Sequence, residues 1–300
     1  MDRGEAYERE PRPPRRHRRR GHGVLSWLVL ILAAALVYVC IGSQPKADPD
    51  NAAGHSTILI AGTDKDGYRT DTLMLLSIDK NDRALRLLSI PRDTHVDAPY
   101  SVPKINSACG YAGGGKAGMA ELMTQVTKLV GFKPDGYALV DLDAFVKIVD
   151  LMGGVDFDVP MDMRYSDPSQ GLEIKLSAGK QHLDGAEAIQ LVRFRSGYAM
   201  ADITRTSVQR DFVKAAFTQW ASVKSVVKLP VLMGILRKNV TTDLSAANMM
   251  WLCRAILSCG VSNMTTDILP GTPAYIGRGS YYVADPDAVA ALMANYNPAS

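Results

Sequence analysis

The chain has 300 residues, of which 47% are hydrophobic and 22% are charged; this balance is typical of a globular protein and excludes a largely disordered one. The formal net charge of +3 comes from the N-terminus, because residues 1–20 hold eight arginines and four acidic residues while the rest of the chain holds 26 basic and 27 acidic residues. A nearly neutral folded part gives no basic footprint for nucleic acid, so nucleic acid is not an expected partner.

An uncharged apolar stretch follows the basic N-terminus. Residues 24–42, VLSWLVLILAAALVYVCIG, are about long enough to cross a bilayer as one helix. Because arginines stay on the cytoplasmic side, we predict a cytoplasmic tail at 1–23, a single-pass transmembrane signal anchor at 24–42 and an extracytoplasmic domain beyond it, at the cell membrane. A buried core helix is the alternative. Residues 43–55 contain Pro, Asp and Gly without periodicity and predict a linker.

Beyond the linker, short aliphatic runs bounded by Asp, Gly or Pro alternate with stretches of helical apolar spacing. The first half of this region predicts strands at 56–64, 72–79, 84–91 and 137–141, and helices at 118–130 and 142–154. The second half predicts a helix running into a strand at 183–195, a helix from 202 to about 223, a helical region at 229–257 with a break near 241–243, and a strand at 265–271.

This alternation predicts an α/β domain over residues 56–292, with a central mixed β-sheet and helices on both of its faces. A C-terminal tail at 293–300 is expected to follow it.

Charged side chains cluster where the first two predicted strands meet. Asp64 ends one strand, and Arg69 and Asp71 begin the next. Two carboxylates that flank one arginine at such a junction can place a metal ion beside a phosphate oxygen. A charged turn without a ligand is the alternative.

Three later segments offer the same residue types. Arg92 and Asp93 follow an aliphatic strand, and Lys104 and Asn106 precede a glycine-rich segment whose spacing is not that of a Walker A loop.

The last segment lies in the second half of the chain. Arg193 and Arg195 alternate on a predicted strand and so share one face, Asp202 is placed to cap the next helix, and Arg205 and Gln209 share one face of that helix. Several guanidinium groups that converge on a pocket repel one another unless they surround an anion.

Other chemistries have little support in the sequence. The five histidines are not spaced as a metal pair, and no Gly-x-Ser-x-Gly motif occurs. Beyond the predicted anchor the cysteines are Cys109, Cys253 and Cys259, which no histidine accompanies, and we interpret them as structural.

Taken in order, these segments resemble the LytR-CpsA-Psr family of cell-wall glycopolymer transferases. The resemblance covers a basic tail, one membrane helix and then G-T-D, R-T-D-T, S-I-P-R-D, K-I-N, F-x-x-x-V-D-x-x-G-G-V, L-D-G-A-x-A, R-x-R and D-x-x-R-x-x-x-Q. These motifs contain Asp64; Arg69 to Thr72; Ser89 to Asp93; Lys104 to Asn106; Phe145 to Val155; Leu183 to Ala188; Arg193 and Arg195; and Asp202, Arg205 and Gln209.

The resemblance implies a phosphotransferase that moves a glycopolymer from a polyprenyl-pyrophosphate donor to a peptidoglycan acceptor. It also implies a magnesium or manganese ion near Asp64 and Asp71. The implied pyrophosphate ligands are Arg69, Arg92, Lys104, Arg193, Arg195, Arg205 and Gln209, with Asn106 and Asp202 as further candidates. An apolar tunnel between the sheet and its helices would take the lipid tail, so lipid is an expected partner.

Two features depart from the family pattern. The family usually carries a second arginine directly before the glutamine that matches Gln209, and this chain has Val208 there, with Arg210 one residue after the glutamine. On a helix, Arg210 points about 100° away from Gln209. The loop between Asp64 and Arg69 is also short.

The predicted catalytic residues are Asp71, Arg92 and Asp93, with Asp71 orienting or deprotonating the acceptor hydroxyl. Two alternatives stay open: a lipid-pyrophosphate hydrolase that uses water as acceptor, and a non-catalytic polyprenyl-lipid carrier at the membrane. A membrane-tethered transcription regulator is disfavoured, because the short basic tail has no helix-turn-helix pattern. The sequence leaves the identity of the glycopolymer open.

Overall fold

The computed structural model describes residues 54–63, 68–168, 171–194, 201–220, 228–261 and 264–297. No helix within these ranges is both long and apolar enough to span a bilayer, and the predicted anchor at 24–42 lies outside them.

The strands are β1 His55–Thr63, β2 Thr70–Asp79, β3 Ala84–Ser89, β4 Gly136–Val140, β5 Val155–Val159, β6 Met163–Asp167, β7 Leu172–Leu176, β8 Gly179–Leu183, β9 Val240–Thr242, β10 Thr265–Ile268, β11 Gly271–Ile276 and β12 Gly279–Ala284. The helices are α1 Ala108–Tyr111, α2 Gly115–Val130, α3 Leu142–Met152, α4 Gly185–Arg193, α5 Ala201–Trp220, α6 Leu229–Asn239, α7 Ala246–Cys259 and α8 Pro286–Tyr296.

Six strands form the central sheet in the order β10-β3-β2-β1-β4-β9. β1 pairs antiparallel to β2 and parallel to β4, while β3 pairs antiparallel to β2 and parallel to β10. The predicted central mixed sheet is therefore confirmed. The hairpin β11–β12 and the pairs β5–β8 and β6–β7 form small separate sheets that the sequence patterns did not predict.

Helices cover both faces of the central sheet, as predicted. On one face, called the first face, α2 and α8 pack on Leu59, Leu73 and Leu88. On the other, the second face, α5 and α7 pack on alternate residues of the same strands, such as Leu76 and Leu87. This division follows from the two-residue period of a strand. A third apolar core joins α3, α4 and α5 to the strand pairs β5–β8 and β6–β7.

Several predicted boundaries are wrong. The third strand ends at Ser89 rather than at residue 91, because Pro91 has no N–H for the ladder. Arg193 is the last residue of helix α4 and not part of a strand. That helix is fixed by a capping box in which Asp184 and Glu187 satisfy each other's backbone N–H groups.

Three further differences concern the second half of the chain. Helix α5 begins at Ala201, so Asp202 lies inside it and is not its cap. The break predicted near 241–243 is the strand β9. The predicted domain end at residue 292 falls inside α8, in which Tyr296 is fully buried.

Candidate active site

Three of the four predicted charged segments meet at one edge of the central sheet. Because β1 and β3 run in one direction and β2 in the other, the last residues of β1 and β3 lie beside the first residues of β2. This topology places Asp71, near the start of β2, next to Arg92, three residues beyond β3. The junction that the sequence predicted as a site is therefore an edge shared by three strands.

Asp71 and Arg92 form an ion pair at this edge. The Arg92 guanidinium donates a hydrogen bond of 2.7 Å to Asp71 Oδ1. The Arg92 side chain is 19% exposed and the Asp71 side chain is 23% exposed. Arg92 Nε also lies 4.0 Å from Asp93 Oδ2. One guanidinium thus lies between two carboxylates in a half-buried position, where charges are screened less than at the surface.

Lys104 extends this row of charges. Its ammonium group donates a 2.9 Å hydrogen bond to Asp93 Oδ1 and lies 5.4 Å from the centre of the Tyr281 ring. The edge of the sheet therefore carries an alternating series of carboxylates and cations, from Asp71 through Arg92 and Asp93 to Lys104. The structure brings these four predicted residues together.

The hairpin β11–β12 supports this series from the C-terminal part of the chain. The backbone N–H of Tyr282 donates to the Asp93 carbonyl, and the Tyr282 carbonyl accepts from the His95 N–H. Tyr281 contacts the His95 ring edge-on at 5.3 Å. The sequence prediction missed Tyr281 and His95, and the aromatic pair YY in an otherwise polar late segment was the available signal.

Burial raises the pKa of the neighbouring Tyr282 hydroxyl, which donates to the Leu269 carbonyl at 2.7 Å. That hydroxyl stays protonated at neutral pH and fixes the base of the hairpin. This bond holds in place the hairpin that carries Tyr281.

Asn106 and Gln209 make contacts that hold the backbone around the arginines. The backbone N–H of Asn106 donates to the Arg92 carbonyl at 3.2 Å, and Asn106 itself is 6% exposed. The side-chain amide of Gln209 donates to the Val192 carbonyl at 2.8 Å, which ties α5 to the end of α4 beside Arg193. Direct contact of either side chain with substrate stays a prediction.

The departure at Val208 has a structural explanation. Val208 is buried in the third core with Leu191 and Phe212. Arg210 binds the carboxylate of Asp211 through Nε and Nη2, at 3.1 and 3.0 Å. An apolar residue at 208 therefore stabilises packing between α4 and α5, while the next arginine in the chain interacts with its own neighbour.

For four of the other predicted residues, the structure gives a position in the fold. Arg69 is exposed just before β2, and Arg193 is half-buried in the last turn of α4. Asp202 and Arg205 lie on the first turns of α5. Asp64 and Arg195 lie outside the described residues.

Two hydroxyl groups near this edge are fully buried and have no hydrogen-bond partner among the described residues. They are Thr70 Oγ1, beside Asp71, and Ser89 Oγ, at the end of β3. Leaving a buried hydroxyl unpaired costs about 1–3 kcal/mol. Buried polar groups without a partner are rare in folded proteins, and a bound water, an ion or a substrate group can each satisfy them.

The described residues offer few ligands for a divalent cation. Within the part of the chain that the structure describes, no group of three or more His, Cys, Asp and Glu side chains is arranged to hold a metal ion. Magnesium in phosphoryl-transfer sites is usually held by one or two carboxylates together with substrate phosphates. Asp71 fits that pattern as one carboxylate, because a carboxylate has two oxygens and can accept several contacts at once.

Comparisons with known proteins give the chain's relatives. TagV of Bacillus subtilis, named polyisoprenyl-teichoic acid–peptidoglycan teichoic acid transferase, is 29% identical over 225 residues, which are 73% of this chain and 56% of TagV. TagU of Oceanobacillus iheyensis, a transferase of the same description, is 30% identical over 237 residues, 77% of this chain and 72% of TagU. The regulatory protein MsrR of Staphylococcus aureus is 33% identical over 198 residues, 64% of this chain and 57% of MsrR. The chain thus spans little more than half the length of TagV and MsrR.

Solved structures share the fold. The crystal structure of B. subtilis TagV has a TM-score of 0.69 at 24% identity and covers 83% of this chain and 99% of that one. TagT bound to LIIa-WTA has a TM-score of 0.66 at 22% identity, with 85% and 94% covered. The LytR_cpsA_psr family model matches residues 38–297. Because the family model matches most of the chain's length, and four of the predicted residues lie together at one edge of the sheet, this chain belongs to the LytR_cpsA_psr family.

Proposed function

We propose that this protein is a phosphotransferase that attaches a polyprenyl-pyrophosphate-linked glycopolymer to peptidoglycan and releases polyprenyl phosphate. The alternating series Asp71–Arg92–Asp93–Lys104 supports this most directly, because it presents cations held in place by carboxylates at a half-buried edge. Fixed cations stabilise the charge that develops on a transferred phosphoryl group without reorganising during the reaction. The transferase names of TagV and TagU point the same way.

The proposed reaction is a single displacement at phosphorus. An acceptor hydroxyl attacks the phosphorus that carries the glycan, a new P–O bond forms, and the bond to the bridging oxygen breaks so that polyprenyl phosphate leaves. Arg92 and Lys104 bind the diphosphate oxygens, with Arg69, Arg193, Arg195 and Arg205 as further ligands. Asp71 orients the hydroxyl and accepts its proton, and Asp93 holds Arg92 and Lys104 in position.

We further propose that a magnesium or manganese ion binds at Asp71 together with Asp64. When bound, it would neutralise part of the diphosphate charge. The ion–carboxylate contact and the Arg92–Asp71 pair are compatible, because a carboxylate offers several lone-pair positions.

The lipid tail is proposed to bind on the second face of the sheet. Val213, Phe217, Trp251 and Leu252 pack there as partly buried residues, so an apolar ligand can add contacts without opening a closed core. We propose that residues 24–42 anchor the chain in the cell membrane, with the domain outside and the donor lipid within reach.

The test is product analysis with the full-length protein, a polyprenyl-diphosphate-linked glycan and isolated peptidoglycan. We expect polyprenyl phosphate in equal amount to phosphorylated glycan bound covalently to the peptidoglycan, and a chelator of divalent cations should stop both. A lipid-pyrophosphate hydrolase would instead release free glycan phosphate whether or not peptidoglycan is present. A lipid carrier would bind the donor with no turnover, which would contradict the proposal.

A further inference from the structure

A polar cavity opens beside β9, the outermost strand of the central sheet next to β4. Its volume is about 570 Å³, and its lining includes Lys116, Asp141, Lys238, Asn239 and the strand β9. Volumes of roughly 300–1,000 Å³ are usual for small-molecule sites. Within the part of the chain that the structure describes, the side chains of Arg69, Arg92, Lys104 and Arg193 do not line this cavity, so it is separate from the charged series at Asp71.

The strand register gives the distance between the proposed diphosphate site at Asp71 and the cavity at β9. Thr72 pairs with Gly62, Gly62 with Val140, and Val140 with Val240, so these residues form one row across four strands. Neighbouring strands lie about 4.8 Å apart, which puts β9 about 14 Å from β2 along that row. Asp71 directly precedes the first residue of this row, and the cavity lies at its other end. A glycan that leaves the diphosphate site along the edge would reach the cavity within a few sugar units.

The cavity has an excess of positive charge. Lys116 and Lys238 are exposed, and neither forms an ion pair with any residue in the described ranges. Among the described lining residues the one acidic residue is Asp141, which accepts a 2.6 Å hydrogen bond from the Ala144 N–H as the cap of α3. The positive end of that helix offsets part of its charge. An anion that enters the cavity therefore meets two ammonium groups and one largely compensated carboxylate.

The wall of the cavity is held in place by its own hydrogen bonds. Asn239 accepts from Lys147 Nζ at 2.9 Å and donates to the Ile235 carbonyl at 3.0 Å. Thr242 donates to the Tyr137 carbonyl and accepts from the Leu244 N–H. These bonds fix β9 and the end of α6, so Lys238 projects from a wall that is already ordered. Pre-ordering lowers the entropic cost of binding.

We propose that this cavity binds anionic repeat units of the glycopolymer, and that Lys116 and Lys238 contact their phosphodiester groups. Lysine binds phosphate as a point charge on a flexible stem, which suits a polymer that slides and varies in length. The identity of the ligand rests on the proposed function. The cavity would select donors whose repeats carry negative charge over donors with neutral repeats.

The test compares two synthetic donors with the full-length protein. One carries a disaccharide on polyprenyl diphosphate, and the other carries the same disaccharide extended by a few glycerol phosphate units. In the double variant Lys116→Ala with Lys238→Ala, we expect KM for the extended donor to rise roughly two- to thirtyfold, as two exposed ion pairs of about 0.2–1 kcal/mol each would give. Its kcat, and both constants for the short donor, should not change.

Lys128→Ala with Lys133→Ala is the matched control. It removes the same charge from exposed positions at or just beyond the other end of α2, where Lys128 lies about 18 Å along the helix from Lys116. A KM for the extended donor that is equal in both double variants would overturn the inference.

A binding measurement separates this inference from the proposed function. Soluble oligo(glycerol phosphate) is titrated into wild type and both double variants and followed by calorimetry. Binding that is lost only without Lys116 and Lys238 supports the cavity even if no transfer of any donor is found, in which case the proposed function alone fails. Equal binding in all three proteins, or none in wild type, overturns the inference even if transfer is efficient.

Discussion

The two faces of the central sheet differ in how completely their helices cover them. On the first face, the inward side chains of α2, such as Met119, Leu122 and Val126, are fully buried. On the second face, the helix residues Val213, Phe217, Trp251 and Leu252 stay partly exposed although they pack on strands that are equally buried. The same strands therefore support a core of mostly buried side chains on one side and a core with a larger share of partly exposed side chains on the other.

The difference begins in the helices. In α2 the apolar residues recur at 119, 122, 123, 126 and 130 and form one continuous stripe. At Gly118 a Cβ would lie 2.5 Å from the Cys109 carbonyl oxygen, so only glycine allows this close approach to α1. Helix α5 instead divides its apolar residues between two cores, with Phe212 and Ala216 in the third core and Val213 and Phe217 on the second face. A helix shared in this way closes neither side fully.

The largest expected effect is on stability. Leu122→Ala removes a fully buried side chain from the first face and should lower the free energy of unfolding by about 2–5 kcal/mol. Leu252→Ala removes a partly buried side chain from the second face and should cost about 1 kcal/mol, because part of its surface is already in water. Urea unfolding of the two variants measures both values.

The KM for the polyprenyl donor should also distinguish the two faces. Leu252→Ala should raise KM for the polyprenyl donor, whereas Leu122→Ala at a temperature where it stays folded should leave KM unchanged. Equal losses of stability in the two variants, or a KM effect from the first face alone, would contradict the assignment of the lipid to the second face.

A smaller effect is expected from a polar network that borders the first face. The carboxylate of Glu121 accepts hydrogen bonds from the Tyr100 hydroxyl and, at 2.8 Å, from Gln125 Nε2, and these bonds lower the pKa of Glu121 below 4.5. A lowered folded-state pKa adds stability above the unfolded-state value, and this stability is lost as pH falls through the folded-state pKa. Wild type should therefore be more stable than Glu121→Gln by about 1 kcal/mol at pH 7.

The difference between wild type and Glu121→Gln should shrink below pH 4. Urea unfolding of both proteins at pH 7 and pH 3 measures it. A difference that is the same at both pH values would show that the charge of Glu121 contributes nothing.

Much of the sheet could be predicted because its strands are short, apolar and bounded by turn residues. The series at the edge was also accessible, since Asp71, Arg92, Asp93 and Lys104 all lie next to predicted strand ends. Local sequence patterns predict the wrong secondary structure where tertiary contacts determine it. The R-F-R alternation suggested a strand, but the capping box of α4 and the packing of Leu191 keep Arg193 helical.

The features that local sequence patterns did not predict are positioned by contacts between segments that are far apart in the chain. Tyr281 reaches Lys104 only because the hairpin β11–β12 pairs by backbone with Asp93 and His95, a contact between segments almost 190 residues apart along the chain. Strand β9 is three residues long, which is too short to leave a periodic pattern, although it forms one wall of the polar cavity. Such contacts have no local signature.

Arg92 offers the most direct test of the central claim, which is that this guanidinium binds the diphosphate. The measurement is the rate of polyprenyl phosphate release from a polyprenyl-diphosphate glycan by wild type, Arg92→Ala and the control Arg278→Ala, which changes an exposed arginine in the β11–β12 turn. Arg92→Ala should lower kcat by about 10²–10³-fold, Arg92→Lys should restore part of it, and Arg278→Ala should match wild type. Wild-type turnover in Arg92→Ala would contradict the account.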